Sequence, residues 1–237
     1  MTTSAPTTKL QTAKPNFLRA IFAVVHKDLM AEYRSRELVS SMMVFAVLVI
    51  FIFDYALNLE PALRTKVTSG VLWVTFIFAG NIGLNRAMAV EKDRGCLDGL
   101  LLAPVDRAAI YFGKVISTLI FMLLVEVIML PIYGVFYNVN LFNPGLLLVI
   151  LLGSIGYTSV GTLLSSMAVQ TRTRDILLPI ILFPVIIPIV LAAVDASGKF
   201  LTGAKMSEIQ PSLTLLIALD VIFTSIAFMV FDYVVEE

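Results

Sequence analysis

Glu91-Lys-Asp-Arg-Gly-Cys-Leu-Asp-Gly-Leu-Leu-Leu-Ala-Pro104 interrupts a chain that is otherwise written for lipid. Charged residues and glycines come first, apolar residues follow, and long hydrophobic runs lie on either side. Adjacent membrane helices are normally joined by the shortest turn available. Here the connection from Arg86 to Lys114 is long, charged and amphipathic, bounded by glycine and proline. It predicts a short helix over about 91–104, lying along a membrane face and offered to a soluble partner.

Composition sets the class. Of 237 residues, 59% are hydrophobic and 14% charged, against roughly a quarter charged in soluble domains. The chain is therefore expected to be an all-α integral membrane protein. Net charge is zero, so there is no global electrostatic footprint for nucleic acid. A single cysteine, Cys96, and a single histidine, His26, exclude a disulfide framework and any multi-ligand zinc site within the chain. Residues 1–15 are poor in apolar side chains and read as a disordered tail, with 16–237 as one transmembrane domain.

Asn16 stands where a helix cap is expected. Leu18, Ile21, Phe22, Val25 and Leu29 then recur at helical spacing, with charged residues on the other faces. This predicts an interfacial amphipathic helix over 16–36 with its apolar stripe in lipid, a soluble helix being the other reading. Arg34, Arg36 and Glu37 mark the turn into the bilayer and are candidates for a gate at that interface.

A spanning helix needs about 20 mostly apolar residues, and six stretches qualify: 38–58, 67–89, 110–136, 145–168, 175–195 and 212–234. With the N-terminus inside, thirteen Lys and Arg fall on the inner side and only Arg64, Lys66, Lys199 and Lys205 outside. That bias predicts cytoplasmic termini. The outer connections are then 59–66, an asparagine-rich turn at 137–144, and 196–211, which has room for a short interfacial segment. Thr171–Asp175 is a minimal inner turn.

Several polar residues fall at membrane depth: Asn81 and Asn85 in the second span, Glu126 in the third, Asp220 in the sixth, and Asp54 near the outer end of the first. A charge there costs about 2.5–3.5 kcal/mol on insertion scales, so such groups face a bundle interior or cavity. A substrate or proton path is one reading; an acid hydrogen-bonded to a neighbouring helix is the plainer one. Pro131 predicts a kink in the third span. Pro179, Pro184 and Pro188 predict three in the fifth, which is expected to pack inside the bundle, as one helix or as broken half-helices. Gly153, Ser154, Gly156, Ser159 and Gly161 in the fourth span permit close helix approach.

No catalytic constellation is present. The sequence has no metalloprotease, Walker or nucleophile-elbow motif, and His26 lies far from the intramembrane serines. A non-enzymatic chain powered by a partner is expected.

The residues then resemble a known family. Gly70-Val-Leu-Trp-Val, the run from Asn85 to Pro104, Arg34-Ser-Arg-Glu-Leu-Val-Ser-Ser41 and the triple-proline stretch Leu177–Pro188 together resemble the haem exporter protein B family. That family supplies the permease subunit of the cytochrome c maturation ABC transporter. The resemblance covers about residue 17 to the end, departing at Asp98, where glutamate is expected, and at Cys96. It implies a six-helix, ABC-2-type permease of the bacterial inner membrane. Its partners would be a cytoplasmic ABC ATPase, in two copies, that binds the ATP, a haem-handling membrane protein and a periplasmic haem chaperone. This chain alone would bind no cofactor, haem being handled by the complex. Glu91, Asp93, Arg94, Gly95, Leu97, Asp98, Leu101, Leu102 and Pro104 would form the coupling helix docked on the ATPase. Leu97, Leu101 and Leu102 share one apolar face of it. A permease for a drug, lipid or polysaccharide precursor, and a static membrane scaffold, remain the competing readings.

Overall fold

The structure, a computed structural model, describes residues 16–57, 61–93, 105–169, 171 and 173–234. Among these the chain forms α1 (Phe17–Ser35), α2 (Glu37–Leu57), α3 (Pro61–Asp93), α4 (Arg107–Tyr137), α5 (Pro144–Ala168), α6 (Arg174–Leu201) and α7 (Met206–Val234). Six of the helices, α2 to α7, are long and apolar enough to cross a membrane. The chain is thus a multi-pass, all-helical membrane protein.

The starts and stops of the helices follow local chemistry. A single residue, Arg36, separates α1 from α2, held in the left-handed region at φ 54° with its N–H on the Glu32 carbonyl at 2.7 Å. The Glu32 side chain then accepts from the first backbone amides of α2, Val39 at 2.9 Å and Leu38 at 3.3 Å. One acid therefore closes α1 and opens α2, satisfying donors that a helix start otherwise leaves orphaned. Between α4 and α5, Asn138 takes the left-handed cap at φ 52°. Asn143 caps the Gly145 amide at 2.9 Å, and Pro144 occupies the first helical position, where its missing N–H costs nothing. Asn16 fills the cap position of α1, but its side chain makes no capping bond.

Buried helices sit at the centre of the bundle. The spanning windows of α3 and α5 are each 72% buried, against 22% for α7. α5 packs on α3, α4, α6 and α7. Its small residues receive large neighbours: a Cβ at Gly153 would meet the Trp73 indole, and one at Gly161 the Leu84 side chain. In return Tyr157 fills the space over Gly80 of α3 and donates to the Ile77 carbonyl at 3.0 Å. The paired residue numbers climb together (73 with 153, 80 with 157, 84 with 161), so α3 and α5 run parallel and interlocked along their length. Each notch is a place where only glycine lets the backbones approach.

Four expectations are corrected. The 196–211 connection shrinks to Thr202–Lys205, because α6 continues to Leu201 and α7 begins at Met206. Gly198 stays helical and faces Ser69, and Gly203 at φ 70° makes the turn. Pro61 likewise opens α3 instead of sitting in a loop. The fifth span is one continuous helix with Pro179, Pro184 and Pro188 inside it, not two half-helices, and it is only 33% buried. Pro184 and Pro188 lie on its exposed side, with Leu182, Ile186 and Ile189 in the core. A proline pushes the axis away from its own ring, so outward prolines curve the helix around the bundle. Finally, the stripe proposed for lipid is divided: Leu18 and Phe22 are exposed, whereas Val25 is buried and Ile21 and Leu29 are half-buried. α1 uses its narrower face (Ala20, Val24 and Val25) to pack on α4, where Gly113 accommodates Val24.

Candidate functional site

Two polar regions distinguish the bundle from an inert set of spans. One lies at its basic end, where α1 to α4 meet. Lys114, only 5% exposed, donates to both oxygens of Asp28, at 3.0 and 3.2 Å, and Lys27 reaches the same carboxylate at 3.0 Å. A buried lysine needs such partners, because an uncompensated charge there is strongly destabilising. The pair fastens α1 to the first turns of α4. Arg86 of α3 bridges to Glu37 of α2 at 2.7 Å, in a more exposed setting. Between these pairs is a cavity of about 150 Å³.

The same end carries a tie between α3 and α5. Lys92, in the last turn of α3, donates to the Val169 carbonyl at 2.6 Å. Val169 follows directly on the C-terminus of α5, where carbonyls lack intrahelical partners and a cation is favoured. Lys92 and Val169 keep the numerical offset of Leu84 and Gly161. The tie is therefore the next contact of the parallel interlock, two turns further along.

The second region lies in the bundle core. Glu126, 1% exposed, accepts from the Ser154 hydroxyl at 2.6 Å, and its other oxygen has no hydrogen-bond partner among the described residues. Asp220 lies against Gly156, where a Cβ would collide with its carboxyl, and neither of its oxygens has a hydrogen-bond partner among those residues. One turn on, Thr224 donates to the Ser159 hydroxyl at 3.1 Å, and Tyr111 donates to the Ser159 carbonyl at 3.1 Å. Ser154 and Gly156 stand on different sides of α5, so the structure does not join the two acids in one site. Asn81 is buried with its side-chain oxygen unpartnered among the described residues, and Asn85 is half-buried in the same helix.

The far end is closed by aromatic and hydroxyl groups. The buried Trp73 indole donates to Ser197 of α6 at 3.0 Å. Thr75 and Tyr133 both donate to the Val71 carbonyl, at 2.8 and 3.2 Å. Beside them Lys199 holds Asp195 at 2.5 Å and Ser212 at 2.9 Å, tying α6 to the start of α7.

The residues singled out from the sequence fare unevenly. Glu91 and Asp93 are not on a separate short helix; they belong to the last turn of α3, which runs unbroken to Asp93. Arg94, Gly95, Leu97, Asp98, Leu101, Leu102 and Pro104 lie outside the described residues. Of the suggested gate residues, Arg34 and Arg36 are exposed and Glu37 is paired with Arg86. Pro131 lies within an unbroken α4. Asp28, Arg86, Lys92 and Lys114 were not picked out as site residues. In the sequence Arg86, Lys92 and Lys114 are cations of the long charged connection, and no local pattern announces which carboxylate or carbonyl each will meet. Among the described residues no group of His, Cys, Asp and Glu is placed to hold a metal ion. His26 stacks on Phe22, with ring centroids 6.1 Å apart.

Comparison with known proteins gives a consistent result. The family model described as CcmB protein matches residues 19–236. The chain is 26% identical to heme exporter protein B of Pseudomonas aeruginosa over 73% of its own length and 78% of the relative's. It is 23% identical to heme exporter protein B of Rhodobacter capsulatus, over 82% and 88%. With the protein of that name from Bradyrhizobium diazoefficiens it shares 21%, over 78% and 84%.

Proposed function

The chain belongs to the CcmB protein family, and from that premise we propose that it is the non-catalytic permease subunit of a haem-handling ABC transporter. It acts in cytochrome c biogenesis, in the bacterial inner membrane, with both termini cytoplasmic and the basic end facing the cytoplasm. Haem is the cargo of the complex, as the names of the relatives suggest. A separate ATPase, in two copies, hydrolyses ATP, and a haem-handling membrane protein and a periplasmic chaperone complete the pathway.

The observation that carries this reading is the interlocked α3–α5 pair and its tie at Lys92. α3 runs to Asp93, the residue next to the segment proposed to dock on the ATPase. A push on residues 94–104 reaches α3 first, and through Lys92, Leu84, Tyr157 and Trp73 it reaches α5 with little slack. α5 in turn touches α4, α6 and α7. Packed interiors transmit such displacements because they have few voids to absorb them. In the proposed docking helix, Leu97, Leu101 and Leu102 supply the apolar face, with Glu91, Asp93, Arg94 and Asp98 as polar contacts around it.

The test is purification of the complex from membranes with Leu101→Asp. Loss of the ATPase from otherwise intact permease is expected. Retention at the wild-type ratio would remove the docking assignment.

A further inference from the structure

We propose that the cavity among α1, α2, α3 and α4 is a binding site for one zwitterionic phospholipid, seating the headgroup and the first carbons of a chain. Three cations (Lys27, Arg86 and Lys114) and three carboxylates (Asp28, Glu32 and Glu37) surround it. A purely anionic ligand would meet as many acids as bases, and so would a purely cationic one. A molecule carrying both charges complements this balance.

The two kinds of ion pair divide the work. Lys114 and Asp28 are 6% and 12% exposed and hold α1 in place. Arg86 and Glu37 are 43% and 58% exposed, and such solvent-screened pairs contribute little to stability. This second pair can exchange partners at little cost, Arg86 turning to a phosphate and Glu37 to an ammonium. Glu32 is committed to the amides of Leu38 and Val39 and stays where it is.

Behind the charged mouth the walls are apolar, formed by Leu38, Leu84, Ala87 and Phe121. A second, water-sized cavity of about 10 Å³ shares Leu38, Ala87, Thr118 and Phe121 with the first and is also lined by Met42, Gly83 and Met122. The order is that of an amphiphile: charges at the mouth, then an apolar throat pointing into the bundle. Met42 covers Gly83, with its sulfur 2.7 Å from where a Cβ would stand, and methionine reshapes easily around a chain. Exposed Phe22, Met30 and Tyr33 on α1 place the mouth at a membrane boundary. The inference does not depend on the transport reading.

The full chain, with whatever subunits co-purify, is placed in nanodiscs holding equal phosphatidylethanolamine and phosphatidylglycerol, released gently, and weighed by native mass spectrometry. One phosphatidylethanolamine per chain is expected, retained over phosphatidylglycerol by about tenfold, equivalent to about 1.4 kcal/mol. Ala87→Phe, which fills the throat, should abolish retention, and Glu37→Gln with Arg86→Gln should remove the preference, both with wild-type helicity and melting. Equal retention of phosphatidylglycerol, retention unchanged in both variants, or absence of any bound lipid would overturn the proposal. So would a haem absorption band acquired by the wild type and lost in Ala87→Phe.

Discussion

The two ends of this bundle are built from different materials. At the far end, Trp73, Tyr133 and Ser197 close the structure with aromatic bulk and hydroxyl bonds, and its ion pair, Lys199–Asp195, is a local contact within α6 that Ser212 ties to α7. At the basic end, helices are joined by ion pairs around a cavity, one of them buried (Lys114–Asp28) and one exposed (Arg86–Glu37). α3 and α5 run through both. A rigid parallel pair anchored by tight packing at one end and by adjustable charge contacts at the other has a defined place to yield. On the proposed function, the difference puts the entry of motion where charges can exchange and its onward route in the interlock.

Substitutions can break that contrast, and the largest effect belongs in the interlock. Gly153→Val puts a branched side chain where the Trp73 indole already lies. Overpacking costs typically 1–3 kcal/mol and occasionally more; with backbone on one side and a buried indole on the other, about 3 kcal/mol is expected. Thermal unfolding in detergent reads this directly, and a wild-type melting curve would refute the interlock.

The next effect falls at the basic end. Asp28→Leu strips Lys114 of its carboxylate, and breaking a buried pair costs about 3–5 kcal/mol in well-packed interiors. Lys27 shares that carboxylate, and the site borders a cavity, so about 2 kcal/mol is expected. Adding Lys114→Met in the same chain should recover most of the loss. If the double variant is no more stable than Asp28→Leu alone, the ion pair is not what fastens α1 to α4.

Ser197→Ala is smaller. It leaves the buried Trp73 indole without its acceptor, for about 1–2 kcal/mol. Arg86→Gln, at an exposed pair, should cost under about 1 kcal/mol and leave the melting curve almost unmoved. Reversal of these last two, measured side by side, would mean that the ends had been assigned the wrong way round.

Much of this architecture was legible in the sequence. Hydrophobic run lengths located the spans, because a helix must satisfy its own backbone in lipid. The asparagines and proline between Tyr137 and Gly145 announced their turn correctly for the same local reasons that cap helices in water. The small residues of α5 announced close approach. What arrives there was not legible: nothing near Gly153 or Gly161 names Trp73 or Leu84, since such pairings depend on helix order and register. The same limit hid Lys114 and Lys92, which read as topology charges until Asp28 and the Val169 carbonyl stood beside them. Triple proline misled in the opposite direction. It suggested an interior helix, but prolines on the outer face bend a helix around a core as well as mark one inside it.

The central claim is that α3 and α5 move as one body. Spin labels at exposed Val74 on α3 and Leu148 on α5, in a Cys96→Ser chain assembled with the proposed ATPase, test it by pulsed distance measurement. A reference pair joins Met30 on α1 to Leu148. Between nucleotide-free and ATP-trapped complexes, the account predicts one unchanged α3–α5 distance while the reference pair shifts. An α3–α5 distance that splits or moves with nucleotide would contradict it.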